Sequence, residues 1–388
     1  MGGNLAGLFQ LDPGVAYLNH GSYGACPRAV FEAYQGWQRL LERQPVAFLE
    51  PARGHTARLQ AVRQAVAAAV GAQADDLVGV SNATEGLNIA AQSLNLAPGD
   101  EVLTTDHEYG ALEKTWAQVC RRAGARLVVA EVPLPLVSAQ AFAAAIVAGM
   151  TARTRVLFLS HVTSATALVL PLAALVAEAR ARGIVTVIDG AHGPGLVPLA
   201  LDALGADFYA GNCHKWWLAP KGAGFLQVRR EVQAGVVPLV ISHGWTEGQG
   251  EPGPFGNSAF VDRLEMQGTR DPSAWLAVPE ALRFRREQGW ERVAQDCRVM
   301  AQEVAGRVAG LSGLAALSSP AFCAPQMVAM PVPDCDVAAL KSYLEGLAVE
   351  VPCYRWKARC LVRVSVQGYN DRGDLARLVA GLAGFFGW

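Results

Sequence analysis

From about residue 56 to residue 228, the sequence alternates helical patterns with short runs of apolar and β-branched residues. Apolar residues recur at helical spacing from Leu59 to Val70 and stop at Gly71, a residue type that commonly ends helices. A second helical pattern covers Leu172–Ala181. The strand-like runs are Leu77–Val80, Val102–Thr105, Leu127–Val132, Val156–Val162, Ile184–Ile188 and Phe208–Ala210. This alternation predicts an α/β fold in which helices cover both faces of a mostly parallel sheet.

The pattern changes after Gly224. Gly and Pro are dense in 244–256, which predicts a loop or crossover segment, and a long helical stretch follows from about Ser273 to Gly310. The remaining predicted elements are a strand at Met327–Pro331, a helix at Asp336–Leu347, a strand at Leu361–Val366 and a last helix from Asp374. The tail therefore predicts a second, smaller α+β domain, as a length of 388 residues also suggests.

Charge and cysteine usage limit the partners and the compartment. The 33 basic and 34 acidic residues give a net charge of −1, which argues against nucleic-acid binding. No apolar run reaches membrane-spanning length, and Met1–Leu5 lacks the basic start of a signal peptide. The eight cysteines include no C-x-x-C pair, so we expect reduced thiols in the cytoplasm and no metal site.

Lysine is scarce, which narrows any chemistry that requires a primary amine to five positions. One of them, Lys215, follows the strand-like run Phe208–Ala210 and is flanked by His214 and Trp216. Apolar surroundings lower the pKa of an amine by desolvation, which favours a Schiff-base nucleophile. Taken alone, the same motif is more typical of a surface lysine beside tryptophans.

Three further motifs follow strand-like runs at the edge where ligands bind in such sheets. Asp189 ends a buried run and could hold a buried cation or simply cap a turn. Residues Ser81–Gly86 could cradle a phosphate at a helix start, or form an ordinary cap. Tyr109 could stack on a flat ring, or only pack. Together with Lys215, these are the groups that pyridoxal phosphate requires. They are a site for the phosphate, an aromatic ring that stacks on the cofactor ring, a carboxylate for the pyridinium nitrogen and an amine for the Schiff base.

At these positions the sequence resembles the class V aminotransferases, a group of fold-type I pyridoxal-phosphate enzymes that includes the cysteine desulfurases. The isopenicillin N epimerase-like branch is the most similar. The resemblance extends over essentially the whole chain. It is carried by six blocks in family order: Tyr17–Gly24, His161–Thr166, Asp189–His192, Asn212–Trp216, Gln267–Ser273, and Arg363–Ser365 with Tyr369-Asn370.

The resemblance implies a large domain with a mostly parallel seven-stranded sheet and a smaller C-terminal α+β domain. We expect an N-terminal arm over residues 1–18 that packs on the small domain. The large cofactor-binding domain is expected to cover residues 19–265 and the small domain residues 266–388, with the first helix of the latter as a connector.

The resemblance also implies roles for individual residues. Lys215 forms the Schiff base and moves the Cα proton, Asp189 pairs with the pyridinium nitrogen, and Tyr109 stacks on the ring. The residues expected near the phenolic oxygen are His192 and Ser164. The residues expected to hold the phosphate are Ala83, Thr84, Asn212 and His214. From the other subunit of a homodimer, Gly268 and Thr269 are expected to reach that phosphate.

On the substrate side, the resemblance implies that Arg363 binds the α-carboxylate as a bidentate pair. The residues expected to line the same side are Asn19, His20 and Gly21. Two departures from the desulfurase pattern are Ser164 in place of Asn and Ala167 in place of a frequent Gly. They separate this chain from that branch without altering cofactor binding.

Several reactions remain open, because loss of the Cα proton can lead to epimerisation, transamination or elimination. The primary expectation is an epimerase-like enzyme acting on an amino acid or small peptide. The alternatives are a C–S lyase or desulfurase, an aminotransferase and, remotely, a catalytically silent binding protein. A desulfurase would need a mobile cysteine, and Cys353 lies nearest that position, although we expect it to be inert. An epimerase would need a second base, for which the candidates are His20, Tyr23 and Tyr109.

Overall fold

A computed structural model describes residues 5–246 and 252–388 of the chain. Residues 1–4, which include most of the segment examined for a signal peptide and the start of the predicted arm, lie outside the described ranges. The centre of the predicted Gly/Pro-rich loop, residues 247–251, lies outside them as well.

Twelve strands and fifteen helices make up the described ranges. The strands are β1 (Ala16–Tyr17), β2 (Leu77–Val80), β3 (Glu101–Thr105), β4 (Arg126–Ala130), β5 (Thr154–Ser160), β6 (Val185–Gly190), β7 (Phe208–Asn212), β8 (Gly224–Val228), β9 (Met327–Val332), β10 (Val349–Glu350), β11 (Cys353–Trp356) and β12 (Arg359–Ser365). The helices are α1 (His20–Tyr23), α2 (Arg28–Arg43), α3 (Pro45–Leu49), α4 (His55–Val70), α5 (Ala83–Ser93), α6 (Gly110–Ala123), α7 (Ala139–Ala148), α8 (Ala173–Ala181), α9 (Leu201–Leu204), α10 (Ala259–Glu265), α11 (Ser273–Leu276), α12 (Val278–Glu287), α13 (Trp290–Ser312), α14 (Val337–Gly346) and α15 (Arg372–Phe386).

Seven strands form one sheet in the order β2-β8-β7-β6-β5-β3-β4. Strand β8 runs antiparallel to both of its neighbours, and the other pairs are parallel. The predicted α/β fold with a mostly parallel sheet is confirmed, because each predicted strand-like run overlaps one of these strands. Strand β8 was missed. Its sequence begins with a Gly and contains the polar Gln227, so it does not form a continuous apolar run.

The sheet places a crevice where the strand order reverses. The chain passes from β3 outward to β4 and returns on the other side of β3 to β5, so the switch point lies between β3 and β5. Ligands in sheets of this kind bind beyond the carboxyl ends of the strands at such a point. The loops that follow β3, β5, β6 and β7 therefore surround the expected site.

The C-terminal part contains a second, antiparallel sheet in the order β11-β12-β9. The stretch from about Ser273 to Gly310 is helical as predicted, and it is divided into three helices, α11 to α13. Gly289 interrupts the stretch with a φ of +58°, a left-handed conformation that a continuous helix does not allow. Near the N-terminus, β1 pairs with β10, and Leu5 N–H donates to the Gly368 carbonyl.

Candidate active site

Lys215 lies three residues after β7 and is only 9% exposed. Burial lowers its pKa to about 7, the positive charge of Arg363 adds to that effect, and the negative charge of Asp189 opposes it. Its Nζ atom is 3.1 Å from Nε2 of His192. A substantial fraction of a lysine with this pKa is neutral near pH 7, and the neutral form can act as a nucleophile or a base.

The ring of His192 supports this protonation state. The Trp216 indole N–H donates to His192 Nδ1 at 3.3 Å, so Nδ1 carries no proton. Burial, reinforced by the charge of Lys215, holds the pKa of His192 well below its ordinary value, so the ring is neutral with its proton on Nε2. His192 Nε2–H then donates to Lys215 Nζ. Only a neutral amine has the lone pair to accept that hydrogen bond.

Asp189 lies near the end of β6, where its carboxylate is buried. The backbone N–H of Ala191 donates to Asp189 Oδ1 at 2.8 Å. Burial raises the pKa of Asp189, while that hydrogen bond and the charge of Lys215 lower it. Within the described ranges no ion pair involves this carboxylate. Asp189 is therefore a buried acceptor that forms no ion pair within the described residues, and a cationic donor would stabilise it.

The helix start expected to hold a phosphate is well formed. Asn82 caps α5 by accepting from the Glu85 N–H at 3.0 Å. At the end of β7, Asn212 Oδ1 accepts from the Ala83 N–H at 2.8 Å, which ties the helix start to the strand. Thr84 is the second residue of α5, where helices leave backbone N–H groups without helical partners. Thr84 and Asn212 thus form one anion-accepting corner, while the Ala83 N–H is already used by Asn212.

His214 lies between this corner and Lys215 in the sequence. Its Nδ1–H donates to the Ala223 carbonyl at 3.2 Å, which fixes the tautomer of the neutral ring. Burial, together with the charge of Lys215, lowers the pKa of His214 to about 4. A dianion beside this ring would raise that pKa and favour a donating Nε2–H.

Arg363, on β12, is buried with 4% exposure and lies across the site from the large sheet. It donates to the Ser164 carbonyl at 2.6 Å, to Ser164 Oγ at 3.2 Å and to Ser22 Oγ at 2.8 Å. Its buried Nε has no hydrogen-bond partner among the described residues. A buried guanidinium held only by neutral groups is arranged to receive a carboxylate.

The three residues expected on the substrate side are all at the start of α1. Asn19 Nδ2 donates to Glu350 at 3.3 Å. His20 donates from Nε2 to the Lys215 carbonyl at 3.0 Å and accepts at Nδ1 from the Tyr369 hydroxyl at 3.0 Å. Burial lowers the pKa of His20 to about 3. Both of its ring nitrogens are occupied, so His20 anchors the lysine backbone and is a poor second base.

Gly21 and Gly24 let this segment approach the lysine loop closely. A Cβ on Gly21 would lie 2.7 Å from Ser365 Oγ. Gly24 has a φ of +69°, and a Cβ there would lie 1.9 Å from the His214 carbonyl oxygen. The packing of α1 against the Lys215 loop therefore requires glycine at both positions.

The remaining predicted site residues are more open. Tyr109 directly precedes α6 and is 46% exposed, so its ring is free to cover a ligand. Gly268 has a φ of +100°, and it lines a cavity of about 470 Å³ with Thr269, Ser81 and Gly222. Ser81 adjoins the α5 cap, so this cavity borders the anion-accepting corner.

The sequence does not identify every residue of the site. Trp216 and Ser22 lie inside the quoted motifs, but nothing in the sequence shows that they orient His192 and Arg363. Glu108, in the loop after β3, is a buried acid next to Tyr109. Its polar neighbours after a strand are the only signal that could have identified it.

Within residues 5–246 and 252–388, no group of three or more His, Cys, Asp or Glu side chains could hold a metal ion. In the same part of the chain, no helix has the length and apolar character needed to span a membrane.

Comparisons with known proteins agree with this geometry. Residues 24–378 match the family model described as aminotransferase class-V. Isopenicillin N epimerase from Streptomyces clavuligerus is 37% identical over 385 residues, which cover 97% of this chain and 96% of the relative. A probable chloroplastic L-cysteine desulfhydrase from Arabidopsis thaliana is 30% identical over 406 residues, which cover 95% of this chain and 82% of the relative.

Among solved structures, the cysteine desulfurase CsdA from Escherichia coli superimposes with a TM-score of 0.81 at 23% identity, covering 98% of this chain and 97% of that one. The cystine C–S lyase C-DES, in complex with cysteine persulfide, superimposes with a TM-score of 0.81 at 24% identity, covering 95% and 97%. These likenesses concern the fold.

Proposed function

The chain belongs to the aminotransferase class V family and is a pyridoxal-phosphate-dependent enzyme, and from this premise we propose that it epimerises the Cα position of an amino acid or small peptide. The observation that carries the proposal is the buried neutral amine of Lys215, held by His192 between Asp189 and Arg363. The isopenicillin N epimerases of Streptomyces clavuligerus and Amycolatopsis lactamdurans, each 37% identical, favour this reaction over the others.

The residues of the site fit the cofactor. Asp189 is a buried carboxylate without a cation in the described ranges, as a protonated pyridine nitrogen requires. Burial lowers the pKa of Lys215 to about 7, which makes the neutral amine that Schiff-base formation requires available near that pH. Thr84, Asn212 and His214 would hold the phosphate, while the Ala83 N–H holds Asn212 in place. His192 and Ser164 would lie near the phenolic oxygen, and Tyr109 would cover the ring. When bound, pyridoxal phosphate supplies an electron-withdrawing ring that makes the Cα proton of an attached amino acid acidic.

The protein's own groups then determine what happens at Cα. Lys215 would remove or deliver the Cα proton on its own face, a second base would do the reverse on the opposite face, and the hydrogen bond from His192 holds the Lys215 amine in place. Asp189 would favour a protonated ring nitrogen. Arg363 binds the substrate carboxylate and so fixes which face of Cα meets Lys215. Because both ring nitrogens of His20 are occupied, Tyr23 and Tyr109 remain the candidates for a base on the opposite face.

Arg363→Gln should raise the KM for the substrate by about 10- to 150-fold, because a hydrogen-bonded contact to a charged group contributes about 1.5–3 kcal/mol. The matched control is Arg355→Gln, which removes an exposed arginine from the same hairpin, where it pairs with Asp334. Steady-state kinetics of both variants test the assignment. An unchanged KM in Arg363→Gln would refute carboxylate binding at this residue.

The second candidate function is C–S lyase activity, which the L-cysteine desulfhydrase relatives at 30–32% identity favour. A desulfurase mechanism through Cys353 fits the structure poorly. Cys353 begins β11 and pairs with Val362, and burial raises the pKa of its thiol to about 12. A thiol of that kind is almost fully protonated near pH 7 and is a weak nucleophile.

Cys353→Ser should therefore change the turnover of any substrate by less than about twofold, because the buried thiol takes no part in the chemistry. Amino-acid turnover and sulfide release, measured on the same preparation as the wild type, check this. A selective loss of sulfide release in this variant would instead assign Cys353 a catalytic role.

A product screen with amino acids, small peptides and S-substituted cysteines in deuterated water tests the proposed reaction. Epimerisation incorporates solvent deuterium at Cα with inversion and forms no keto acid. Release of pyruvate and sulfide from cysteine would establish the lyase instead. Formation of a keto acid with amination of the cofactor would establish an aminotransferase.

We also propose a homodimer in which Gly268 and Thr269 contribute to the phosphate site of the partner subunit. The exposed position of Thr269 beside the cavity near Ser81 supports this arrangement. A cytoplasmic location is consistent with eight cysteines that are all free thiols. The division into an arm over 1–18, a large domain over 19–265 and a small domain over 266–388 remains part of the proposal.

A further inference from the structure

A second buried carboxyl group, that of Glu108, is connected to Asp189 through Ser160 on the neighbouring strand. Glu108, in the loop between β3 and α6, is 6% exposed. Thr105 Oγ1 donates to its Oε1 at 2.6 Å, and Ser160 Oγ donates to its Oε2 at 2.5 Å. No ion pair in the described ranges involves Glu108. Both carboxyl oxygens are therefore satisfied by neutral donors, and no cation compensates the charge.

The sheet connects Glu108 directly to the Asp189 position. Ser160 is the last residue of β5, and its register partner on β6 is Asp189. Burial, with a smaller contribution from the negative charge of Asp189, raises the pKa of Glu108 to about 7, although the hydrogen bonds from Ser160 and Thr105 lower it. The two acids thus repel each other in an interior that screens charge poorly.

The titratable groups near Glu108 and Asp189 include Lys215, Arg363 and His192. Lys215, after β7, acts on Asp189, and Arg363, on β12, acts on Lys215. His192 is neutral because burial lowers its pKa. Among the described residues, the charge that acts on Glu108 comes from Asp189.

We propose that Glu108 is a positioning residue that acts on the cofactor through Asp189, by favouring a protonated ring nitrogen next to that carboxylate. A cation at Asp189 offsets the repulsion between the two acids, so the ionised form of Glu108 and the protonated ring stabilise each other. The inference rests on the proposed function, because it requires pyridoxal phosphate in the site. It assigns a role to a residue that has no contact with the substrate.

Linkage gives this proposal a measurable consequence. If a cation at Asp189 favours ionised Glu108, binding the cofactor must lower the pKa of Glu108. A group half protonated near pH 7 then releases up to about half a proton on binding. For the same reason, cofactor affinity should increase as the pH rises through about 7. Each unit by which cofactor binding lowers the pKa of Glu108 corresponds to about a tenfold gain in cofactor affinity at pH values above about 7.

The test is calorimetry of pyridoxal phosphate binding to the apoprotein at pH 7, in two buffers of different ionisation enthalpy. The variant is Glu108→Gln, which keeps the shape and a hydrogen-bonding group toward Thr105 and Ser160. It should release about half a proton fewer than the wild type and bind the cofactor about 3- to 10-fold more weakly at pH 8. The matched control is Glu113→Gln, which removes the same charge from an exposed position on α6 and should behave as the wild type.

A double-mutant cycle separates action through Asp189 from a purely structural effect. In an Asp189→Asn background, Glu108→Gln should change the cofactor affinity by less than about twofold. Equal proton release and equal affinity in Glu108→Gln and the wild type would overturn the inference, as would an undiminished effect in the double mutant. A wild-type chain that binds no pyridoxal phosphate would overturn the proposed function itself.

Discussion

Lys215→Ala should abolish the visible absorption band of the bound cofactor and lower turnover by at least about 10⁴-fold. Lys215 is the buried amine whose pKa falls to about 7, and it accepts the hydrogen bond from His192. The variant removes both the Schiff-base nucleophile and the base that moves the Cα proton. Absorption spectra and turnover of the purified protein provide the measurement.

Lys221→Ala is the matched control, because Lys221 lies in the same β7–β8 connection and is exposed. It should retain the band and change turnover by less than about twofold. Lys215→Ala should also keep its melting temperature without cofactor, because burial already penalises the charged amine. Retention of the band in Lys215→Ala would show that another amine holds the cofactor.

Asp189→Ala should lower turnover by about 10²- to 10⁴-fold while the chain stays folded. Removing one member of a buried charge pair costs about 3–5 kcal/mol, and each 1.36 kcal/mol is about tenfold in rate. The loss arises because the ring nitrogen is no longer held protonated. Turnover, together with the pH dependence of the cofactor spectrum, checks this expectation.

Stability measurements distinguish this role from a structural one. The pKa of Asp189 is raised in the folded chain, mainly by burial. An acid with a raised pKa binds protons more tightly in the folded state, so its ionisation destabilises the fold as the pH rises above its ordinary pKa. Without cofactor, Asp189→Ala should therefore melt no lower than the wild type at pH 7. Wild-type turnover, or a large drop in melting temperature, would contradict the assigned role.

The sequence was sufficient to predict six of the seven strands of the large sheet, because these strands are short, apolar and separated by helical patterns. The run Leu77–Val80 coincides with β2, and Asp189 and Asn212 lie at strand ends as expected. Residues that follow parallel strands converge at one edge of the sheet. A local sequence pattern was therefore enough to predict that Lys215 and Asp189 lie close together. The roles of individual residues remain predictions until variants are measured.

Contacts between distant segments could not be predicted in the same way. His20 donates to the carbonyl of a residue 195 positions away and accepts from one 349 positions away. Arg363 contacts Ser22 across 341 positions. Such partners depend on how the second sheet packs on the first, which no local periodicity encodes.

Burial of polar side chains explains why Glu108 and strand β8 were not predicted. Glu108 is a charged loop residue of the kind that is normally exposed to solvent. In the structure it is buried and accepts hydrogen bonds from Thr105 and Ser160, near Asp189. The strand β8 contains Gln227 at a fully buried position, which broke the apolar pattern expected of a core strand. In both cases tertiary packing overrides the tendency of a polar side chain to remain exposed.

The most direct test of the account is to find the lysine that carries the cofactor. Borohydride reduction of the holoenzyme fixes pyridoxal phosphate on its lysine, and mass spectrometry of the peptides identifies the residue. We predict a single label on Lys215, among the five lysines of the chain. A label on Lys114, Lys221, Lys341 or Lys357 instead, or no label at all, would contradict the active site described above.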